Sequence, residues 1–189
     1  MLSRIASPAR SAGFTLTELM IAVAVFATLI TVGLPSFRQM LQNYQVRVAA
    51  ESVANGLQRA RAEAVARNAP VFFALASSSS STWTVDYVTK PVSTDPPIDS
   101  RSSAEGSANV AVVALASDLS TAATTITFNN LGQVVANANA TQAVRRINFN
   151  ASATGGNQTL RVTIGGGGNA RVCDPSLPST NVRNCPTVD

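Results

Sequence analysis

Histidine is absent from this chain of 189 residues, and cysteine occurs only twice. Those two gaps remove the Ser-His-Asp triad, the Cys-His dyad and the usual zinc cages of several Cys and His ligands. Enzymatic function is therefore not expected, nor a metal, nor a cofactor. Charged residues are scarce too, at 13 % against 46 % hydrophobic, but much of the apolar excess lies in one stretch. What remains is rich in Ala, Ser, Thr, Asn and Gly with few aromatics, a composition that favours short strands and loops over a large enzyme core.

The apolar stretch runs from Gly13 to Leu34, and Glu18 is its only charge; the next charged side chain is Arg38. Roughly 20 helical residues at 1.5 Å each cross the ~30 Å of a bilayer's hydrocarbon, so this is a membrane anchor. An ionised acid inside hydrocarbon costs on the order of 2.5–3.5 kcal/mol, less near the interface, and normally requires a partner cation. Taken by itself, Glu18 also fits a bland role as a helix-start acid at headgroup level.

The order of residues decides between these roles. A short leader with Arg4 and Arg10 precedes Gly13, then come Phe14, Glu18 at a fixed offset, and an apolar helix with Pro35 just beyond it. This order resembles the class III signal of type IV pilins and type II secretion pseudopilins. The resemblance implies that a prepilin peptidase cuts between Gly13 and Phe14 and that Phe14 becomes the methylated N-terminus. It also implies that Glu18 is the assembly carboxylate, pairing with a neighbouring subunit's terminal ammonium. The physics agrees, because the two charges neutralise each other in a bundle of anchors where either alone is expensive.

Four segments follow from this order: leader 1–13, transmembrane and assembly helix 14–36, the amphipathic half of the same helix 37–69, and a β-rich periplasmic domain 70–189. The basic leader keeps the N-terminus cytoplasmic and sends the rest across. An ordinary secretory signal fits less well, since no Ala-x-Ala site follows the run. Past the membrane, Phe37, Leu41, Tyr44, Val48, Val53, Leu57, Ala60 and Ala64 recur at mostly helical spacing and predict a buried seam. Pro35 predicts a bend near Gly33, and Asn68-Ala69-Pro70 predict the helix end. Arg59, Glu63 and Arg67 form an i, i+4, i+8 row of the kind found on solvated helix faces.

Beyond Pro70 the period becomes that of strands: Val71–Ala76, Thr82–Val88, Val110–Ala116, Thr125–Phe128, Gln133–Ala136, Ala143–Phe149 and Thr159–Ile164. Ser77–Ser81 reads as a polar hairpin turn, Asn129–Gly132 as a turn, and residues 89–108 as a variable surface loop. Ile126-Thr127-Phe128-Asn129, with Gly132 three residues on, resembles the globular-domain signature of the GspH/FimT/FimU branch of minor pilins and pseudopilins.

Cys173 and Cys185 lie near the end of a chain whose predicted compartment is oxidising, which points to a disulfide closing the C-terminal tail. Strand alternation places Arg146, Arg161 and Arg171 on the side opposite the apolar residues. All three are expected to face solvent and, on neighbouring strands, to form a basic stripe beside a Gly165–Gly168 hairpin turn, able to touch phosphates. Some members of the FimT group bind DNA through a C-terminal glycine-arginine-x-arginine motif; here the residues are Gly168-Asn169-Ala170-Arg171, so one arginine is missing. Charge is uneven along the chain: residues 68–140 carry five acids against two bases, and residues 141–189 five arginines against two acids. In an assembly such asymmetry reads first as complementarity between neighbours.

The resemblance thus implies an α+β, type IV pilin-like fold, with a long N-terminal helix packed on an antiparallel sheet and a disulfide-closed tail. It implies a minor pilin that helps initiate the pilus or sits near its tip. The alternatives are a DNA-binding pilin for natural transformation and a GspH-like pseudopilin of a type II secretion system. Expected partners are other pilins, the prepilin peptidase, the inner-membrane assembly platform, the lipid bilayer and, in the first alternative, DNA. The expected location is the inner membrane before assembly and the pilus fibre after it.

Overall fold

The computed structural model describes residues 13–90, 94–151 and 156–185; most of the expected leader (1–12), residues 91–93 of the 89–108 segment, residues 152–155 and residues 186–189 lie outside the described residues. The chain divides after Phe37 into two units.

In the first unit, helix α1 begins at Leu16, and every side chain from Gly13 to Phe37 is exposed. By length and composition this part of α1 can cross a membrane.

In the second unit, α1 continues to Ala66 and buries Val46, Ala49, Ala50, Val53, Leu57, Ala60 and Ala64, together with Ser52, Ala54 and Gly56. This face is made largely of small residues, and it corrects the seam expected from the sequence. Leu41 and Tyr44 are exposed, Val48 is half-buried, and burial starts at Val46. The reason is close approach: a Cβ at Gly56 would stand 2.9 Å from Phe73 Cε2 and 3.0 Å from the Trp83 ring. Trp83 also donates its Nε1–H to Ser52 Oγ at 2.9 Å, so a buried indole finds its partner on the helix.

The helix ends in a left-handed cap. Asn68 has φ 50°, its N–H bonds to Val65 O at 3.3 Å, and Ala69 N–H bonds to Ala64 O at 3.2 Å, the paired pattern of a Schellman motif. Pro70 then prevents continuation. The Arg59, Glu63, Arg67 row is ion-paired along the helix surface, at 3.0 and 2.8 Å.

Among the described residues nine antiparallel strands follow: β1 (Val71–Leu75), β2 (Trp83–Tyr87), β3 (Asp99–Arg101), β4 (Val110–Leu115), β5 (Thr125–Phe128), β6 (Val134–Val135), β7 (Arg146–Ala151), β8 (Thr159–Ile164) and β9 (Ala170–Cys173). They form two sheets rather than the single one expected, in the orders β3-β2-β1-β5-β6 and β4-β7-β8-β9. The split comes at β4, which pairs with β7 from Val110 opposite Ala151 to Leu115 opposite Arg146. A turn bridging Leu115 to Ala122 then returns the chain to the first sheet. Backbone bonds stitch the sheets together: Val144 N–H to Thr125 O at 2.9 Å and Val134 N–H to Gly166 O at 3.2 Å. The 89–108 segment is likewise not all loop, because Asp99–Arg101 pairs with β2 as an edge strand. A three-residue polar strand carries no apolar alternation to betray it. Phe73, Ile126, Phe128, Ile147 and Phe149 are fully buried with Leu57 of the helix.

In the loop between β4 and β5, Asp118 accepts bonds from the amides of Ser120 and Thr121 and from the Thr121 hydroxyl. The Thr121 bonds dominate and hold its carboxyl down to about 2. A group with a lowered pKa contributes above its ordinary range and loses that contribution as pH falls through the native value. The Thr121 amide NMR signal should therefore stay put from neutral pH to about pH 3 and move only near pH 2; movement around pH 4 would contradict this geometry.

Cys173 and Cys185 form the disulfide. The loop it closes is held further by Asp174 N–H to Arg183 O at 2.8 Å and Asn184 Nδ2 to Leu177 O at 2.7 Å. Closing about 13 residues stabilises by roughly 3 kcal/mol in the chain-entropy model. A Cys173→Ser/Cys185→Ser double variant should therefore melt about 6–12 °C lower, with a far-UV spectrum close to wild type.

Candidate functional site: the helix start and the arginine face

Two places in the fold gather the residues singled out above. The first is the start of α1. Thr15 precedes the helix, its carbonyl accepts the Leu19 N–H at 3.2 Å, and its Oγ1 accepts the Glu18 N–H at 3.3 Å. The same hydroxyl donates to Glu18 Oε2 at 3.5 Å. Thr15 is thus the N-cap and Glu18 the third helical residue, the S/T-x-x-E spacing of a capping box. Thr15 is not among the residues singled out from the sequence, although its spacing to Glu18 is the signal that marks it. The cap places Glu18 in the first turn, where the helix dipole favours a carboxylate. Gly13 and Phe14 lie exposed just ahead of the helix, outside regular secondary structure. Gly33 and Pro35 lie within α1, and a Cβ at Gly33 would meet nothing within 4 Å.

The anchor carries Phe14, Leu16, Leu19, Met20, Ile21, Phe26 and Leu29 exposed along its length. Continuous apolar surface on this scale marks a membrane or assembly surface.

The second place is the outer face of β7, β8 and β9, which are neighbours as the basic stripe requires. In register, Arg146 and Arg171 flank Thr163, while Arg161 lies two residues along β8, opposite Asn148 and Cys173. The three arginines share one face, but only Arg171 is exposed; Arg146 and Arg161 are half-buried, a correction to the solvent-facing stripe. Arg161 donates Nε–H to Asn148 Oδ1 at 2.7 Å. Arg171 donates Nη2–H to the carbonyl of Val182, tying the disulfide loop beside it. Burial, and then the charge of Arg146, lower the pKa of Arg161. The glycine run is a hairpin turn, with Gly165 N–H to Asn169 O at 3.0 Å, Gly168 N–H to Gly165 O at 2.9 Å, and Gly168 at φ 79°. Among the described residues no three His, Cys, Asp or Glu side chains gather to hold a metal ion.

An exposed apolar helix with a capped acid at its start, joined to a helix packed on antiparallel sheets and a disulfide-closed end, defines the class of membrane-anchored pilin-like subunits. The family model described as type II transport protein GspH matches residues 49–174, and the chain belongs to that family. The prokaryotic N-terminal methylation motif matches residues 8–34. The protein is accordingly a minor pilin or pseudopilin, a prepilin peptidase substrate and a structural subunit rather than an enzyme. Two crystal forms of the type IV minor pilin FimU from Pseudomonas aeruginosa are similar to it. One is 19 % identical, covering 71 % of this chain and 94 % of that one with a TM-score of 0.46. The other is 20 % identical, covering 72 % and 90 % with a TM-score of 0.47. A comparison with curated proteins found no match.

Proposed function

We propose that this protein is a minor type IV pilin that is cut between Gly13 and Phe14, methylated on Phe14 and incorporated into the pilus, where it helps initiate assembly or sits near the tip. The observation that carries the reading is the joining of a fully exposed apolar helix to a first-turn acid, Glu18, directly behind that junction. Before assembly the helix lies in the inner membrane, its N-terminus cytoplasmic and its β-rich domain periplasmic. On assembly it passes into a bundle of other subunits' helices. Glu18 then exchanges its local bond to Thr15 for a neighbour's terminal ammonium, and Gly33 with Pro35 gives the helix a place to bend.

The family's description as a type II transport protein favours a second reading, a pseudopilin of a secretion system. DNA uptake has less support, because Asn169 stands at an arginine position of the FimT motif and Arg171 is already bonded to the Val182 carbonyl.

The test is mass spectrometry of the protein and its companions purified from the membrane. The expected result is an N-terminal peptide beginning at methylated Phe14, with pilus subunits co-purifying. Secretion-system subunits in their place would select the second reading, and any other N-terminus would overturn both.

A further inference from the structure

We infer that the outer face of β7–β9 is an oxyanion site, built by Arg146, Arg161 and Arg171 around Thr163, and that in the assembled fibre it receives a carboxylate from the acidic surface of a neighbouring subunit. The inference rests on the assembly reading above for its partner, and on the geometry alone for its chemistry.

Three guanidinium-bearing side chains come to one face from three consecutive strands. Neighbouring strands stand about 4.8 Å apart and residues i and i+2 about 6.8 Å apart, so Arg146, Arg171 and Arg161 can all reach a single group above Thr163. No carboxylate among the described residues forms an ion pair with any of them; the acids that do pair engage Arg47, Arg59, Arg67, Lys90 and Arg101. Arg146 Nε is buried with no acceptor. A buried N–H without a partner is uncommon and calls for an explanation, and a bound anion is one that also suits a cationic group. Burial and like charge both work against Arg161 as it stands, and an anion would relieve both.

The occupant follows from size and charge. Three cations gathered about one threonine suit a single carboxylate held by forked N–H donors, whereas tracking a nucleic acid requires cations strung along successive phosphates. The disulfide loop, bonded to Arg171, bounds one side of the face. Within this chain the acids are concentrated in residues 68–140 and the uncompensated arginines in residues 141–185. Of those acids, Asp95, Asp99 and Asp118 are exposed and form no ion pair among the described residues, so a neighbour with this fold offers carboxylates to the arginine face, and a contact between unlike patches is what builds an open helical fibre.

The test uses the full-length processed protein in detergent, titrated with a pentaglutamate peptide, sodium sulfate and a 20-base-pair DNA duplex. The peptide should bind saturably, sulfate should compete, and affinity should fall with salt by a log–log slope near one. Arg146→Gln and Arg161→Gln should each weaken peptide binding at least tenfold without lowering the melting temperature. Arg38→Gln, which removes the same charge elsewhere, should change it less than twofold. Absence of peptide binding overturns the inference, as does sulfate binding without the peptide. Duplex DNA binding with a slope of about three or more overturns it in favour of a polyanion surface. The titration requires no fibre, so its outcome stands apart from whether the subunit is incorporated.

Discussion

Glu18→Ala protein should be cut, methylated and retained in the membrane at wild-type levels, yet be at least tenfold depleted from sheared filaments. The argument is electrostatic. A carboxylate and an ammonium 4 Å apart attract by about 4 kcal/mol even at an effective dielectric constant near 20, and a third of that is already a factor of ten in an equilibrium. Nothing in the anchor replaces it, because Glu18 is the only charge between Gly13 and Leu34. Membrane retention should survive, since alanine improves the hydrocarbon fit of the helix. The helix start should survive too, because the Thr15 carbonyl and hydroxyl still accept the amides of residues 19 and 18. Glu18→Gln separates charge from shape: it keeps the side-chain outline and should be nearly as depleted as alanine. Either variant found in sheared fibres at wild-type levels would remove the electrostatic mechanism.

Gly168→Ala should be among the most damaging single-methyl substitutions in the chain, while Gly167→Ala, one residue away, should be close to neutral. Gly168 sits at φ 79°, and a Cβ there would run into the carbonyl oxygen of Gly132. Gly132 itself has φ 73°, and its carbonyl accepts Arg61 Nε–H at 3.1 Å. Two left-handed glycines from different sheets thus press together beneath a helix arginine, next to the Val134 to Gly166 bond that joins the sheets. An L-residue in the left-handed region costs roughly 1–2 kcal/mol, and forcing a methyl into a filled space costs roughly 1–3 kcal/mol more. Together these take a large part of the 5–15 kcal/mol that typically holds a domain folded. A Cβ at Gly167 would meet nothing within 4 Å, and its backbone is not left-handed. Thermal melts of the two variants decide the matter: a gap of about 4–20 °C is expected, at roughly 2–4 °C per kcal/mol for a chain of this size, and equal melting temperatures would show that the turns are not in forced contact.

Gly132 shows how a residue can be visible without its purpose being so. The sequence marks it as part of the Ile126-Thr127-Phe128-Asn129 signature, and Gly168 as part of a hairpin, yet nothing along the chain says that the two turns touch. The arginines repeat the pattern. Strand alternation put Arg146, Arg161 and Arg171 on one side because that depends only on each strand's own period of two. Their partial burial depends on which strands adjoin and on where the disulfide loop lies. Thr15 is the opposite case, a cap written wholly in local sequence by its spacing to Glu18.

What this sequence determined by itself is whatever depends on neighbours along the chain. It marked the leader-glycine-acid-anchor order that the methylation motif matches, a helix ended by Asn68 and Pro70, the turn at Gly165–Gly168, and a disulfide between its only two cysteines. The tertiary structure alone decided that the strands divide into two sheets, that Asp99–Arg101 is a strand, that the small face of α1 rather than Leu41 and Tyr44 is buried, and that Gly132 meets Gly168. Each of these is a choice among pairings of distant segments that have similar local propensity. Such choices are settled by burial and close packing summed over the whole domain, a quantity that no window of the sequence contains.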